Sequence, residues 1–358
     1  SGLVQRTCIT DQRIVLDALI AQKLSLDSIA AELGVAVLDF SRPFNLQPVY
    51  IPKPWGQEIW FTGMEARGVS QVASETGATP LSWLLSFCCD DVLGAQHQQL
   101  NLLKILDPLP DEVFGDLYFE LHEQKREVYI VTHVDRAAWP DGVGAIRYGF
   151  SLEKRQAFSD DAAFIVAYHQ AVCDYAVVRR DIDVQLDVLR QRDGFQSNEP
   201  VSAAQTQRWL QSISAQQKEQ EFALRKAMES FTALRTLREG DVLAVPLHTP
   251  HALQHGVRTI EFQTPVYERK ILSFAQKVLT QNHWDTEEGL RLAVLDTPED
   301  QAFPVLLDDV GVKLEPIVHF DDFIVLRLQL GSNAVFECQT MGSYVLLITV
   351  TGCVQCGD

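Results

Sequence analysis

No run of about 18 apolar residues interrupts the chain, and its N-terminus lacks a charged segment leading into an apolar one. Neither a membrane span nor a signal peptide is therefore expected. A basic excess is also missing: 30 Lys and Arg face 48 Asp and Glu, a formal net charge of −18. That balance opposes attraction to nucleic acid phosphates and to anionic membrane surfaces, so a small-molecule partner is expected. An anionic one would need a local island of Lys and Arg. A disulfide framework is lacking too, because the seven cysteines are odd in number and irregularly spaced. They read as reduced thiols of a cytoplasmic protein.

What is present is the balance of a folded globular chain, 46% hydrophobic and 22% charged over 358 residues, long enough for two or three structural units. Ile14, Val15, Ala18 and Leu19, and then Leu24 to Val35, predict two short helices, the second starting at Ser25 and stopping at Gly34. The string Ile29-Ala-Ala-Glu-Leu-Gly-Val35 is similar to the first half of a helix-turn-helix. No basic recognition helix follows, so packing on the main domain is expected. From Pro48 to Val134 short apolar strands are broken by Pro and Gly. Residues from about 160 to 237 have few of either and carry Phe222, Leu224, Met228, Phe231 and Leu234 at helical spacing. Strand-like runs return at Val242, Thr259, Ile317, Phe323 and Tyr344. The expected organisation is a helical segment at 1–47, a β domain split into 48–157 and 239–295 by a helical insertion at 158–238, and a second β unit at 296–358. Closing that last unit into a barrel would need strands beyond its final turn.

Chemistry concentrates in two places. In a strand, residues two apart share a face, so Glu120 and His122 project together, and a hairpin through Glu123–Arg126 would return Glu127 beside them. Far along the chain, Gly240 opens a strand that passes Pro246 and presents His251. Two imidazoles and two carboxylates suit Zn²⁺, with Fe²⁺, Mn²⁺ or Co²⁺ able to use the same set.

The segments Gly115…Glu120-x-His122…Glu127 and Gly240-x5-Pro246-x4-His251 resemble the paired signatures of the cupin superfamily. Within it, Lys53-Pro-Trp-Gly, Leu102-Leu-Lys104-Ile-Leu-Asp107, Lys125-x-Glu127, Glu261-Phe-Gln263 and Arg269 are similar to landmarks of type I phosphomannose isomerases. The resemblance covers most of residues 48–285. It implies a mainly β, double-stranded β-helix (jelly-roll) domain with a helical insertion and a second, incomplete cupin-like unit. It implies zinc held by Glu120, His122, Glu127 and His251, and conversion of mannose 6-phosphate to fructose 6-phosphate. Arg269, Lys125 and Glu261 are the implied catalytic residues, with Lys104, His248 and His255 as further candidates. The sequence departs from that family where Glu120 replaces a glutamine and where the stretch from Glu261 to Arg269 is shortened. A metal cupin of dioxygenase type, and a sugar-phosphate-binding protein without turnover, are the alternatives.

Overall fold

The computed structural model describes residues 6–94, 99–299, 302–339 and 342–356. Two antiparallel sheets form its centre. From edge to edge the six-stranded sheet runs Val242–Val245, Glu127–Val134, Val257–Gln263, Leu102–Pro108, Gly56–Trp60 and Val49–Lys53. The five-stranded sheet runs Thr232–Leu237, Gly144–Phe150, His251–Leu253, Phe119–Leu121 and Lys270–Ser273. Along Glu127–Val134 side chains alternate between faces. Tyr129 and Val131 meet Ile146, Tyr148, Leu253 and Ile271 of the other sheet, while Val128 and Ile130 join separate clusters on the outside. The sheets thus face one another over a shared core, in a mainly β architecture with added helices.

Both outer faces are covered. Phe119, Leu121 and Phe150 of the five-stranded sheet pack on Phe164, Tyr168 and Tyr175 of the helix Asp161–Arg192, joined by Trp209 and Met228 of the helices Ala203–Leu210 and Ala215–Glu229. Side-chain caps start these helices: Asp160, Ser202 and Ser214 accept from the amides of Ala163, Gln205 and Gln217. On the six-stranded sheet, Val128 packs on Val318 and Val325 of a three-stranded antiparallel sheet, Leu307–Asp309, Val312–His319 and Ile324–Leu330. The two expected N-terminal helices are Arg13–Ala21 and Leu26–Leu33, the latter capped by Ser25 and ended by Gly34 at φ 66°. No helix among the described residues is long and apolar enough to cross a membrane.

Three expectations are corrected. Residues Thr232–Leu237 are a strand rather than the end of the helical run, and Leu234 points outward, 61% exposed, instead of lying on a helical core face. Leu81–Leu93, within the region read as strands, is a helix whose Leu81, Leu84 and Leu93 bury against Val72 and Leu38. The run Tyr344–Val350 forms no strand, because no described neighbour offers it a hydrogen-bonding ladder. It packs by side chains instead, Tyr344 and Leu346 on the cluster around Leu84 and Leu93.

Two glycines are fixed by the backbone. Gly240 turns the chain at φ +88° ahead of the strand Val242–Val245. At Gly115 a Cβ would lie 1.9 Å from the Leu109 carbonyl oxygen and 2.7 Å from the His255 Cβ. Gly115→Ala is expected to cost about 1–3 kcal/mol by forcing that backbone apart. A thermal melt matching wild type would contradict this reading of the contact.

Candidate metal centre

The structure places the first three chemistry-bearing residues differently from the expected hairpin. Phe119–Leu121 and Glu127–Val134 belong to facing sheets, so residues 122–126 carry the chain from one sheet to the other, with His122 and Lys125 buried and Gln124 exposed. Phe119 and Leu121 turn outward onto the helices, which sends Glu120 inward. His251, at the start of its own strand, is the register partner of Glu120. Directly opposed residues share a face, so His251 also points inward.

His122, Glu127 and His251 converge there, and one ligand atom from each lies within 4.8 Å of the others. The His122 Nε2 is 3.4 Å from Glu127 Oε1, and His251 Nε2 is 3.1 Å from Glu127 Oε2. Two ligand atoms on a tetrahedral Zn²⁺ sit about 3.3 Å apart, given bonds of ~2.0–2.1 Å. Both rings are oriented from behind. The His122 Nδ1 pairs with the Glu268 carbonyl at 2.9 Å and His251 Nδ1 with the Thr249 carbonyl at 3.0 Å, leaving each Nε2 turned to the interior. Burial, and then the Lys125 ammonium, push His122 well below its usual range, so it is a neutral imidazole with a free lone pair. Burial opposes charge on Glu127 as well, but the Lys125 ammonium against it outweighs that cost and holds the carboxylate well below the usual range. His122 and Glu127 are therefore in the form a divalent cation requires of its ligands.

Glu120 stands at the edge of this trio. Its Oε1 is 3.9 Å from His122 Nε2 and its Oε2 is 3.7 Å from Arg269 Nη1. Around the trio runs a buried chain of alternating charge. Lys125 Nζ lies against Glu127 Oε1, Glu261 is 3.2 Å from Lys104, and Glu58 is shared by Lys104 at 3.6 Å and Lys53 at 2.9 Å. Burial and the adjacent Glu127 push the Glu261 carboxyl well above the usual range. Arg269 lies with its guanidinium carbon 4.6 Å from the Tyr118 ring centre and donates to Thr280 Oγ1 at 2.7 Å. Among the described residues, several buried polar atoms here accept or donate no hydrogen bond: His122 Nε2, Glu120 Oε2, Glu261 Oε1, Gln263 Oε1 and Arg269 Nε. Orphaned polar atoms are rare in native interiors, and a group of them marks a place shaped for a polar ligand.

Other candidates fall elsewhere. Lys125 is buried, 8% exposed, which removes it from the ordinary solvated turn that its position between His122 and Glu127 suggests, whereas Arg126 turns away to Asp321 and Asp322. His255 is bound to Asp116 at 2.7 Å and stacked on Trp139, a structural arrangement. His248 adopts φ 64° and gives its amide to the His122 carbonyl, so its backbone holds the segment that carries His122. Cys353 and Cys356 are exposed free thiols. Reading the sequence missed Tyr129, whose hydroxyl donates to Glu127 Oε2 at 2.7 Å, and Glu58. The signal for Tyr129 was its place two residues after Glu127, on the same face of one strand.

No family model matches the sequence, and no curated protein sequence matches it. Solved structures do. Mannose 6-phosphate isomerase from Bacillus subtilis aligns over 81% of this chain and 81% of its own, with a TM-score of 0.52 at 14% identity. A phosphomannose isomerase variant from Salmonella typhimurium covers 78% of this chain and 81% of its own, with a TM-score of 0.46 at 14% identity. A zinc-bound mannose 6-phosphate isomerase covers 78% and 82%, with a TM-score of 0.46 at 12% identity. At these identities the likeness is one of fold: the chain shares the architecture of the Bacillus subtilis enzyme.

Proposed function

We propose that this chain is a metal-dependent aldose–ketose isomerase of a hexose 6-phosphate, with mannose 6-phosphate and fructose 6-phosphate as the pair to test first, built on a cupin double-stranded β-helix. The observation that carries the reading is the convergence of His122, Glu127 and His251 from separate segments on one buried point. Its position in a fold shared with a mannose 6-phosphate isomerase adds the reaction class. His122, Glu127 and His251 would hold the ion, with Glu120 as the fourth ligand. When bound, a divalent cation supplies a Lewis acid able to stabilise negative charge on the sugar O1 or O2.

The chain's own residues supply the rest. Isomerisation moves one proton between C1 and C2, which calls for an acid–base group shifted towards neutral pH. Glu261 is the carboxyl so shifted, and its Oε1 makes no hydrogen bond among the described residues. Lys104, 3.2 Å from Glu261, and Lys125, against Glu127, bring positive charge to the same wall and would donate to sugar oxygens. Arg269 is the guanidinium for the 6-phosphate, and its unpaired Nε leaves a donor for it. Lys53, Lys104, Lys125 and Arg269 are the cationic island that an acidic chain needs for an anionic substrate.

The test is metal content of the purified protein together with isomerisation of mannose 6-phosphate followed by release of fructose 6-phosphate. One equivalent of metal and turnover are expected. Metal without turnover would remove the isomerase assignment and retain the metal centre. A second expectation follows from Glu120, whose carboxylate adds negative charge at the edge of the ligand set and faces Arg269. Glu120→Gln is expected to weaken metal binding by roughly tenfold while raising kcat severalfold at saturating metal, because less negative charge leaves the ion a stronger Lewis acid. A fall in kcat with metal restored would contradict that argument.

A further inference from the structure

Tyr129 touches two of the three converging residues and has no part in the chemistry described above. Its hydroxyl donates to Glu127 Oε2 at 2.7 Å, and its ring centre is 6.0 Å from that of His251. Both contacts follow from the strand: residues two apart share a face, so Tyr129 stands beside Glu127 on the inner side of Glu127–Val134. The ring is buried in the shared core with Val131, Leu243 and Leu253. A buried tyrosine hydroxyl needs an acceptor. Tyr148, in the same core, uses a backbone carbonyl, that of Ala244 at 2.7 Å, whereas Tyr129 uses the candidate ligand carboxylate.

Glu127 has two oxygens able to serve an ion, and its two buried donors differ in what they fix. Lys125 brings a compact ammonium on a flexible stem to Oε1, which supplies charge but sets no plane. The Tyr129 hydroxyl sits at the end of a rigid ring locked by core packing, so it orients the carboxylate as well as binding it. It also occupies a lone pair of Oε2. Without that hold the carboxylate can turn and give an ion both oxygens, as carboxylates do on cations that accept bidentate ligands. We propose that Tyr129 is a positioning residue that restricts Glu127 to one-oxygen coordination of the metal. The inference rests on the metal centre of His122, Glu127 and His251, and it gives the hydroxyl a consequence for the reaction. A catalytic metal keeps a position open for substrate, and a second oxygen from Glu127 would fill the place that a sugar oxygen needs.

Tyr129→Phe keeps the ring and its contact with His251 and removes only the hydroxyl. The test titrates the metal-free full chain with Co²⁺, whose visible bands are intense in four-coordinate sites and weaken as the coordination number rises. Wild type is expected to take up one equivalent. In Tyr129→Phe the affinity, read by competition with a chelator, is expected to fall roughly tenfold or more, and the bands to lose intensity severalfold as the second oxygen binds. Tyr175→Phe is the control, because it takes a buried hydroxyl from another carboxylate, Glu221 at 2.8 Å, in the helical layer. It is expected to match wild type in both readouts. Unchanged bands in Tyr129→Phe overturn the proposal, as does an equal loss in Tyr175→Phe, which would make the effect a general loosening of the core. No cobalt bound by wild type would remove the metal centre itself, and this inference with it.

Discussion

His251→Ala is expected to leave a folded protein that binds less than a tenth of an equivalent of metal and isomerises mannose 6-phosphate about a thousandfold more slowly than wild type. His251 supplies one of the three converging ligand atoms, and its Nε2 is 3.1 Å from Glu127 Oε2. Without it, Glu127 loses a hydrogen-bonding neighbour, and the proposed ligand set falls from four to three with His122 as the one imidazole left. The residue is also buried, so truncation opens a small cavity whose cost must be separated from the loss of a ligand. His251→Gln fills that space without an imidazole and serves as the control. Elemental analysis after dialysis, read beside a thermal melt, decides. Metal lost in both variants with the melt nearly unchanged makes His251 a ligand, whereas full metal and full turnover in His251→Ala would end the proposed metal centre.

The residues that converge were legible as candidates before the structure because each carries a local signature. Glu120 and His122 alternate in one segment, and His251 follows a glycine, a strand and a proline turn. What was not legible is how the segments meet. The short link from His122 to Glu127 is compatible with a hairpin or with a crossing between sheets, and only the packing of Phe119 and Leu121 on distant helices decides for the crossing. The buried charge chain was hidden for the same reason. Trp60, Lys104, Glu261 and Tyr129 stand in register on four adjacent strands. Those strands neighbour one another in an order set by long-range pairing, which no local pattern encodes.

Helix ends were readable at Ser25 and Gly34, where cap chemistry is local. The boundary near residue 230 was not. Phe231 and Leu234 keep helical spacing with Met228, but the helix stops at Glu229 and the chain enters the five-stranded sheet. Periodicity over so few residues cannot separate a last helical turn from a first strand when both are partly apolar. The strand-like run from Tyr344 failed for a different reason: it has the right residues for a strand and no ladder to join.

Lys125→Met is expected to retain one equivalent of metal and lose turnover by roughly a hundredfold or more, the loss seen when one preorganised charge is removed from a catalytic site. In the structure its ammonium rests on Glu127, the carboxylate that the ion would also use, so Lys125 and metal draw on the same negative charge. Two consequences separate its roles. If Lys125 were only the counter-ion of Glu127, its removal would leave the metal-bound enzyme fully active, since the cation then balances the carboxylate. If it also donates to the sugar oxygens, activity falls although the metal stays, and Lys125→Arg restores little because a fork-shaped guanidinium cannot occupy the place of a compact ammonium. Metal titration and steady-state kinetics on the same samples distinguish these cases, and unchanged kcat in Lys125→Met would return Lys125 to a purely structural part.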